Sequence, residues 1–151
     1  MNPSISKIEL KPIGFIHSSL KKYAKVPVQP KFSKVEGIIE LFHEYKDGLK
    51  DLDGFEYIIC IVYFHHVKQP VPLQTPTHWD SDLHGVFAIR SPRRPNPIGL
   101  SVLKLLRIED NKLYVKNLDF VDGTPVVDIK PFIPSIDNRD TEKIGWIKGK
   151  F

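Results

Sequence analysis

Residues 85–101, GVFAIRSPRRPNPIGLS, place Arg90, Arg93 and Arg94 among three prolines in one short connection between apolar stretches. Guanidinium groups pair bidentately with carboxylate and phosphate, and proline removes freedom from the unfolded chain. The segment therefore reads as a preorganised anion site more than as a solvated basic loop. Residues 119–131, DFVDGTPVVDIKP, set Asp122, Asp128 and Lys130 around a D-G-T-P turn. An Asp-Gly pair before Thr-Pro offers a carboxylate, a hydroxyl and open backbone groups at one bend, which suits a ribose diol or an ammonium group. Ordinary turn chemistry is the competing reading. The consecutive pair His65 and His66 is a third signal. On an extended segment their side chains point to opposite faces, so at most one faces a site and the two do not share a metal.

Other chemistries lack their local signatures. The nine glycines never form G-x-G, so the dinucleotide-binding turn is missing, and GWIKGK at 145–150 has one residue too few between its glycines for a phosphate loop. There is no H-E-x-x-H, C-x-x-C or G-x-S-x-G, the patterns of zinc peptidases, thiol redox proteins and serine hydrolases. The single cysteine, Cys60, lies within an apolar run and reads as a small packing hydrophobe.

The chain has 151 residues, enough for one self-sufficient core. It carries 22 Lys and Arg against 18 Asp and Glu, a mild bias toward anionic partners such as RNA. No apolar run approaches the roughly 20 residues of a membrane span, and the first residues, MNPSISKIELKP, lack the apolar stretch of a signal peptide. A cytoplasmic setting is expected. Thirteen prolines argue against long helices.

The apolar pattern predicts strands. Residues 7–15 read as one strand with a bulge, 35–42 as a second, and 55–64 as a core strand buried on both faces. A short strand at 86–89 and a pair at 98–108 and 113–118 around an Asp110–Asn111 turn follow, with a short helix within 43–53 and exposed loops at 21–34 and 68–82. Strand follows strand without βαβ alternation, so the expected fold is mainly β: a small closed or nearly closed barrel of about six to seven strands with short helices, not a Rossmann fold.

Taken together, IGFIHS at 13–18, VPVQP at 26–30, YFHH at 63–66, GVFAIRSPRRPNPIGLS at 85–101 and LDFVDGTPVVDIKPFIP at 118–134 resemble the TsaA or TrmO family. These are S-adenosylmethionine-dependent methyltransferases built on a β-barrel. The resemblance spans residues 11–134 in family order, and its two long motifs are highly specific. It implies methylation of the exocyclic N6 amine of threonylcarbamoyladenosine at position 37 of tRNA, by a homodimer that binds cofactor near the subunit interface. Carried over by motif, the cofactor contacts are Pro27, Val28, Gln29, His65, His66, Arg90, Leu100, Asp122, Gly123, Thr124 and Pro125. Val28 stands where bacterial members often have arginine, and the chain ends at Phe151 where many members continue into a further domain. A single domain with no additional C-terminal domain is the expectation.

With that family chemistry, in-line displacement at the sulfonium methyl needs alignment and no metal. Arg90 is expected to pair with the cofactor carboxylate and Asp122 with its diol or ammonium. Tyr63, His65, His66 and Asp128 are candidate proton acceptors. Arg93, Arg94, Asn96 and Lys130 are the expected tRNA contacts. A methyltransferase for another RNA or small-molecule amine, and a cofactor-binding sensor without turnover, are the alternatives.

Overall fold

In the computed structural model, residues 5–22, 31 and 33–150 are described. The strands are β1 (Gly14–His17), β2 (Glu36–Leu41), β3 (Tyr57–Tyr63), β4 (Gln74–Thr75), β5 (His84–Gly85), β6 (Ile98–Glu109), β7 (Lys112–Lys116) and β8 (Pro125–Pro131), followed by the single turn α1 (Pro134–Asp137). Six of them close into an antiparallel barrel in the order β1-β2-β7-β6-β3-β8, while β4 and β5 form a separate two-stranded ribbon. The expected barrel is thus present, closed and six-stranded.

Alternation builds the core. Ile58, Cys60 and Val62 of β3 point inward and meet Ile16, Ile39, Leu103, Leu113, Val115 and Val126 from the other strands. β6 is long enough to pair twice, with β3 through Ile98–Lys104 and with β7 through Lys104–Glu109, shifting register between Leu105 and Arg107. Asp110 takes a left-handed φ of 55° at the β6–β7 turn, a conformation Asp tolerates.

Four expectations are corrected. The first strand begins at Gly14, not Lys7, and Ile8 is 78% exposed. β2 ends at Leu41 opposite Gly14, so residues before 13 have no ladder to join. Val86–Ala88 is a 3₁₀ turn instead of a strand. Its buried residues, Val86 and Ile89, lie three apart, a spacing that one helical turn places on one side. β3 is buried on its inner face alone; Ile59 and Ile61 are half-covered and Tyr63 is exposed. The helix expected within 43–53 appears as two 3₁₀ segments, His43–Leu49 and Leu52–Gly54.

The register fixes which loops share an end. Val62 pairs with Val126, Tyr63 with Ile98, His17 with Ile38, and Glu36 with Lys116. The end of the barrel where β1, β3 and β7 finish is therefore where β2, β6 and β8 begin. Residues 18–22, 33–35, 64–97 and 117–124 all belong to connections at that end. Gly99 is required there: a Cβ would collide with the Phe64 ring, which packs edge-on against Phe120 at 6.2 Å.

Candidate functional site

Most sequence-predicted residues sit on these three connections. Arg90 follows the Val86–Ala88 turn, and its Nη2 donates to the Leu100 carbonyl at 3.3 Å, so two predicted cofactor contacts lie together. Arg94 braces the same loop from within, its Nη1 donating to the carbonyls of Ile89 at 3.0 Å and Ser91 at 3.1 Å. Gln69 donates to the carbonyls of Arg94 and Pro95, at 3.0 and 3.2 Å. Ile98 N–H donates to the Asn96 carbonyl at 2.7 Å. Arg93 is exposed, and its N–H donates to Ser91 Oγ at 3.3 Å.

The histidine pair differs from the extended-chain expectation. The chain turns after β3, with Val67 N–H donating to the Phe64 carbonyl at 3.2 Å, and the His65 and His66 rings lie 3.9 Å apart instead of on opposite faces. Partial burial, and then the neighbouring His66, hold the His65 imidazole below the ordinary histidine range. Both effects favour its neutral form. Phe64 N–H donates to the Pro97 carbonyl at 2.7 Å, which ties this turn to the end of the arginine loop.

The D-G-T-P segment is held from inside. Gly123 has φ +81°, a left-handed conformation that favours glycine. Its N–H donates to the Ile16 carbonyl at 2.8 Å, while the Thr124 carbonyl accepts from Ile16 N–H at 2.9 Å. Thr124 is fully buried, and its hydroxyl donates to the Val121 carbonyl at 2.7 Å, closing the turn. Pro125 opens β8 opposite Phe15. Asp122 faces residues 18–21: Oδ1 accepts from Ser18 N–H at 2.9 Å, and Oδ2 accepts from Lys21 Nζ at 2.7 Å. The Lys21 hydrogen bond, then the Ser18 one, hold its carboxyl below the usual aspartate range. Each oxygen keeps further lone-pair capacity for a ligand.

Two predicted groups lie apart from this end. On β8, Lys130 Nζ donates to Asp128 Oδ2 at 2.8 Å, and that pairing raises the lysine pKa. Asp128 and Leu100 both pair with Ile61 of β3, so they flank it on one row of the barrel, with Lys130 two rows further on, opposite Ile59. Pro27, Val28 and Gln29 lie outside the described residues.

Asp119 escaped the sequence reading. Its Oδ1 accepts from Ser101 Oγ at 2.8 Å, and Ser101 is buried on β6 opposite Cys60. Burial pushes its pKa up to about 6, against the lowering effects of the Ser101 hydrogen bond and the Arg90 charge. The loop after β7 thus carries one carboxylate toward Arg90 and another, Asp122, toward Lys21. Its signal in the sequence was slight: a charge between Leu118 and Phe120, both buried. Cys60 is fully buried, and that burial drives its thiol pKa upward, consistent with packing.

The chain matches the family described as the tRNA-methyltransferase O N-terminal domain over residues 15–138. A relative from Pyrococcus abyssi, named as a probable S-adenosyl-L-methionine-binding protein, is 45% identical over 139 residues, 91% of this chain and 75% of that one. The tRNA (adenine(37)-N6)-methyltransferase of Mus musculus is 33% identical over 84% of this chain, which spans 31% of the mouse protein. The crystal structure of TrmO from Pseudomonas aeruginosa superposes with a TM-score of 0.78 at 31% identity, over 93% of this chain and 63% of that one. By sequence and by fold, the chain belongs to the TrmO family.

Proposed function

We propose that the chain binds S-adenosylmethionine at this end of the barrel and methylates the N6 amine of threonylcarbamoyladenosine at position 37 of tRNA. The observation that carries the reading is the convergence of the arginine loop, the histidine turn and the D-G-T-P turn on one barrel end, in a chain matched to the TrmO N-terminal domain. The donor set fits the cofactor. Arg90 spends one of five N–H donors on Leu100 and keeps others for a carboxylate; Asp122 retains acceptor capacity for a diol or ammonium; the His65 and His66 rings offer flat surfaces to adenine. When bound, the cofactor supplies an electrophilic methyl on a sulfonium.

The protein's part is alignment and proton removal. Asp119, ionised at neutral pH and sheltered from water, would take the amine proton as the methyl's new N–C bond forms and its C–S bond breaks, S-adenosylhomocysteine leaving. Arg94 keeps the loop rigid while Arg93, Asn96 and Lys130 meet tRNA. A homodimer forms on the outer face of β3 and β6, where Tyr63, Ile98 and Leu100 (48% exposed) adjoin. The tRNA substrate sets the reaction in the cytoplasm, and no helix among the described residues is long and apolar enough to cross a membrane.

Release of S-adenosylhomocysteine on addition of tRNA tests this reading. A second reading is favoured by the name of the Pyrococcus relative: binding of the cofactor without turnover. Cofactor binding with no S-adenosylhomocysteine from any tRNA would select it.

A further inference from the structure

Phe87 is 83% exposed, more than any other large hydrophobic side chain among the described residues. A single exposed phenylalanine is unremarkable on a mobile loop, but this one stands on a turn fixed from several sides. Its neighbours Val86 and Ile89 are buried, at 1% and 8% exposure. Val86 N–H donates to the Leu73 carbonyl at 2.9 Å, Arg94 holds the Ile89 carbonyl at 3.0 Å, and Trp146 Nε1 donates to the Ala88 carbonyl at 2.8 Å. The indole is itself stacked on His84 at 3.9 Å, and His84 is paired with Asp80 at 2.8 Å. The backbone on either side of Phe87 is spoken for, so the ring is held outward.

Arg90 and Arg93, both exposed, follow the turn. A rigid aromatic face beside guanidinium groups is the arrangement that recognises an unpaired nucleobase: the ring stacks on the base, and the cations meet the flanking phosphates. Preorganisation matters because little side-chain or loop freedom remains to be lost on binding. We propose that Phe87 is a stacking platform for an unpaired base of the RNA substrate. This rests on the tRNA reading above and goes beyond it by assigning the contact. Leu73 and Leu83, also exposed, make a second copy of the chain the competing occupant, but the adjacent guanidiniums and the net charge of +4 favour a polyanion.

The test is fluorescence anisotropy with a labelled tRNA anticodon stem-loop and, as control, a fully paired duplex of similar length. Phe87→Ala is expected to weaken stem-loop binding about tenfold or more, to leave duplex binding and thermal unfolding unchanged, and to keep the salt slope, since stacking releases no counterions. Phe87→Trp is expected to restore affinity. Stem-loop binding by Phe87→Ala equal to wild type would overturn the assignment while leaving the tRNA reading standing. A fall in affinity that tracks a shift toward monomer in sedimentation would overturn it in favour of self-association. Wild-type protein that binds no RNA would overturn both readings.

Discussion

Trp146 Nε1 donates to the Ala88 carbonyl at 2.8 Å while its indole stacks on His84, so a residue beyond position 138, where the family match stops, holds the turn that leads into Arg90. Lys150 reinforces the attachment from 3.7 Å on Asp80, the carboxylate already paired to His84. These contacts lie outside the barrel core, so their effect is local.

Trp146→Ala should therefore loosen the arginine loop without unfolding the barrel. The expected result is cofactor affinity lowered about three- to tenfold, from lost preorganisation, with the thermal midpoint close to wild type. Trp146→Phe keeps a ring over His84 but loses the N–H donor, and should fall between the two. Calorimetric titration of the cofactor, alongside thermal unfolding of each variant, checks both statements.

Asp119 gives a pH dependence with a defined sign. Its pKa is raised from 3.8 to about 6 on folding. Between those values the folded state holds a proton that the unfolded state has lost, so the contribution of Asp119 to stability is full below pH 4 and is lost as pH rises to 6. Above 6 both states are ionised and the dependence levels off, with a difference of about 3 kcal/mol across the window. Asp119→Asn should abolish this slope in urea unfolding measured from pH 4 to 7. Methyl transfer should show the opposite trend, rising through pH 6 as the carboxylate becomes able to accept a proton. The variant should lose that limb and at least tenfold in kcat.

Gly99 lies within the arginine-proline motif, but its requirement is packing. A Cβ there would press into the Phe64 ring and lie 3.1 Å from Val62 Cγ2. Gly99→Ala should cost about 1–3 kcal/mol in denaturant unfolding through overpacking. The same substitution at Gly85, where a Cβ meets nothing within 4 Å, should be nearly neutral.

Part of the barrel was legible because alternation is a local signal: Ile39 and Leu41, two apart within 35–42, mark the inner face of β2, whereas the continuous apolar run of β3 concealed that only Ile58, Cys60 and Val62 face inward. The N-terminal alternation of Ile8 and Leu10 misled because pattern does not reveal whether a partner strand exists. The buried pair Val86 and Ile89 misled because a short apolar run suits a turn as well as a strand. At the site, the arginine loop and the D-G-T-P turn stood out by composition. The closeness of Arg90 to Leu100 and the Ser101–Asp119 contact depend on β-register and on pairings 10 and 18 residues apart, which no local window displays. The Trp146 anchor spans 58 residues and was invisible for the same reason.

The central claim is methyl transfer to tRNA. Purified protein would be incubated with S-adenosylmethionine and tRNA, with and without the threonylcarbamoyl group on adenosine 37, and the digested nucleosides weighed. The account predicts one added methyl on threonylcarbamoyladenosine and none on the unmodified adenosine. Cofactor binding by calorimetry with no methylated nucleoside from either tRNA would contradict it.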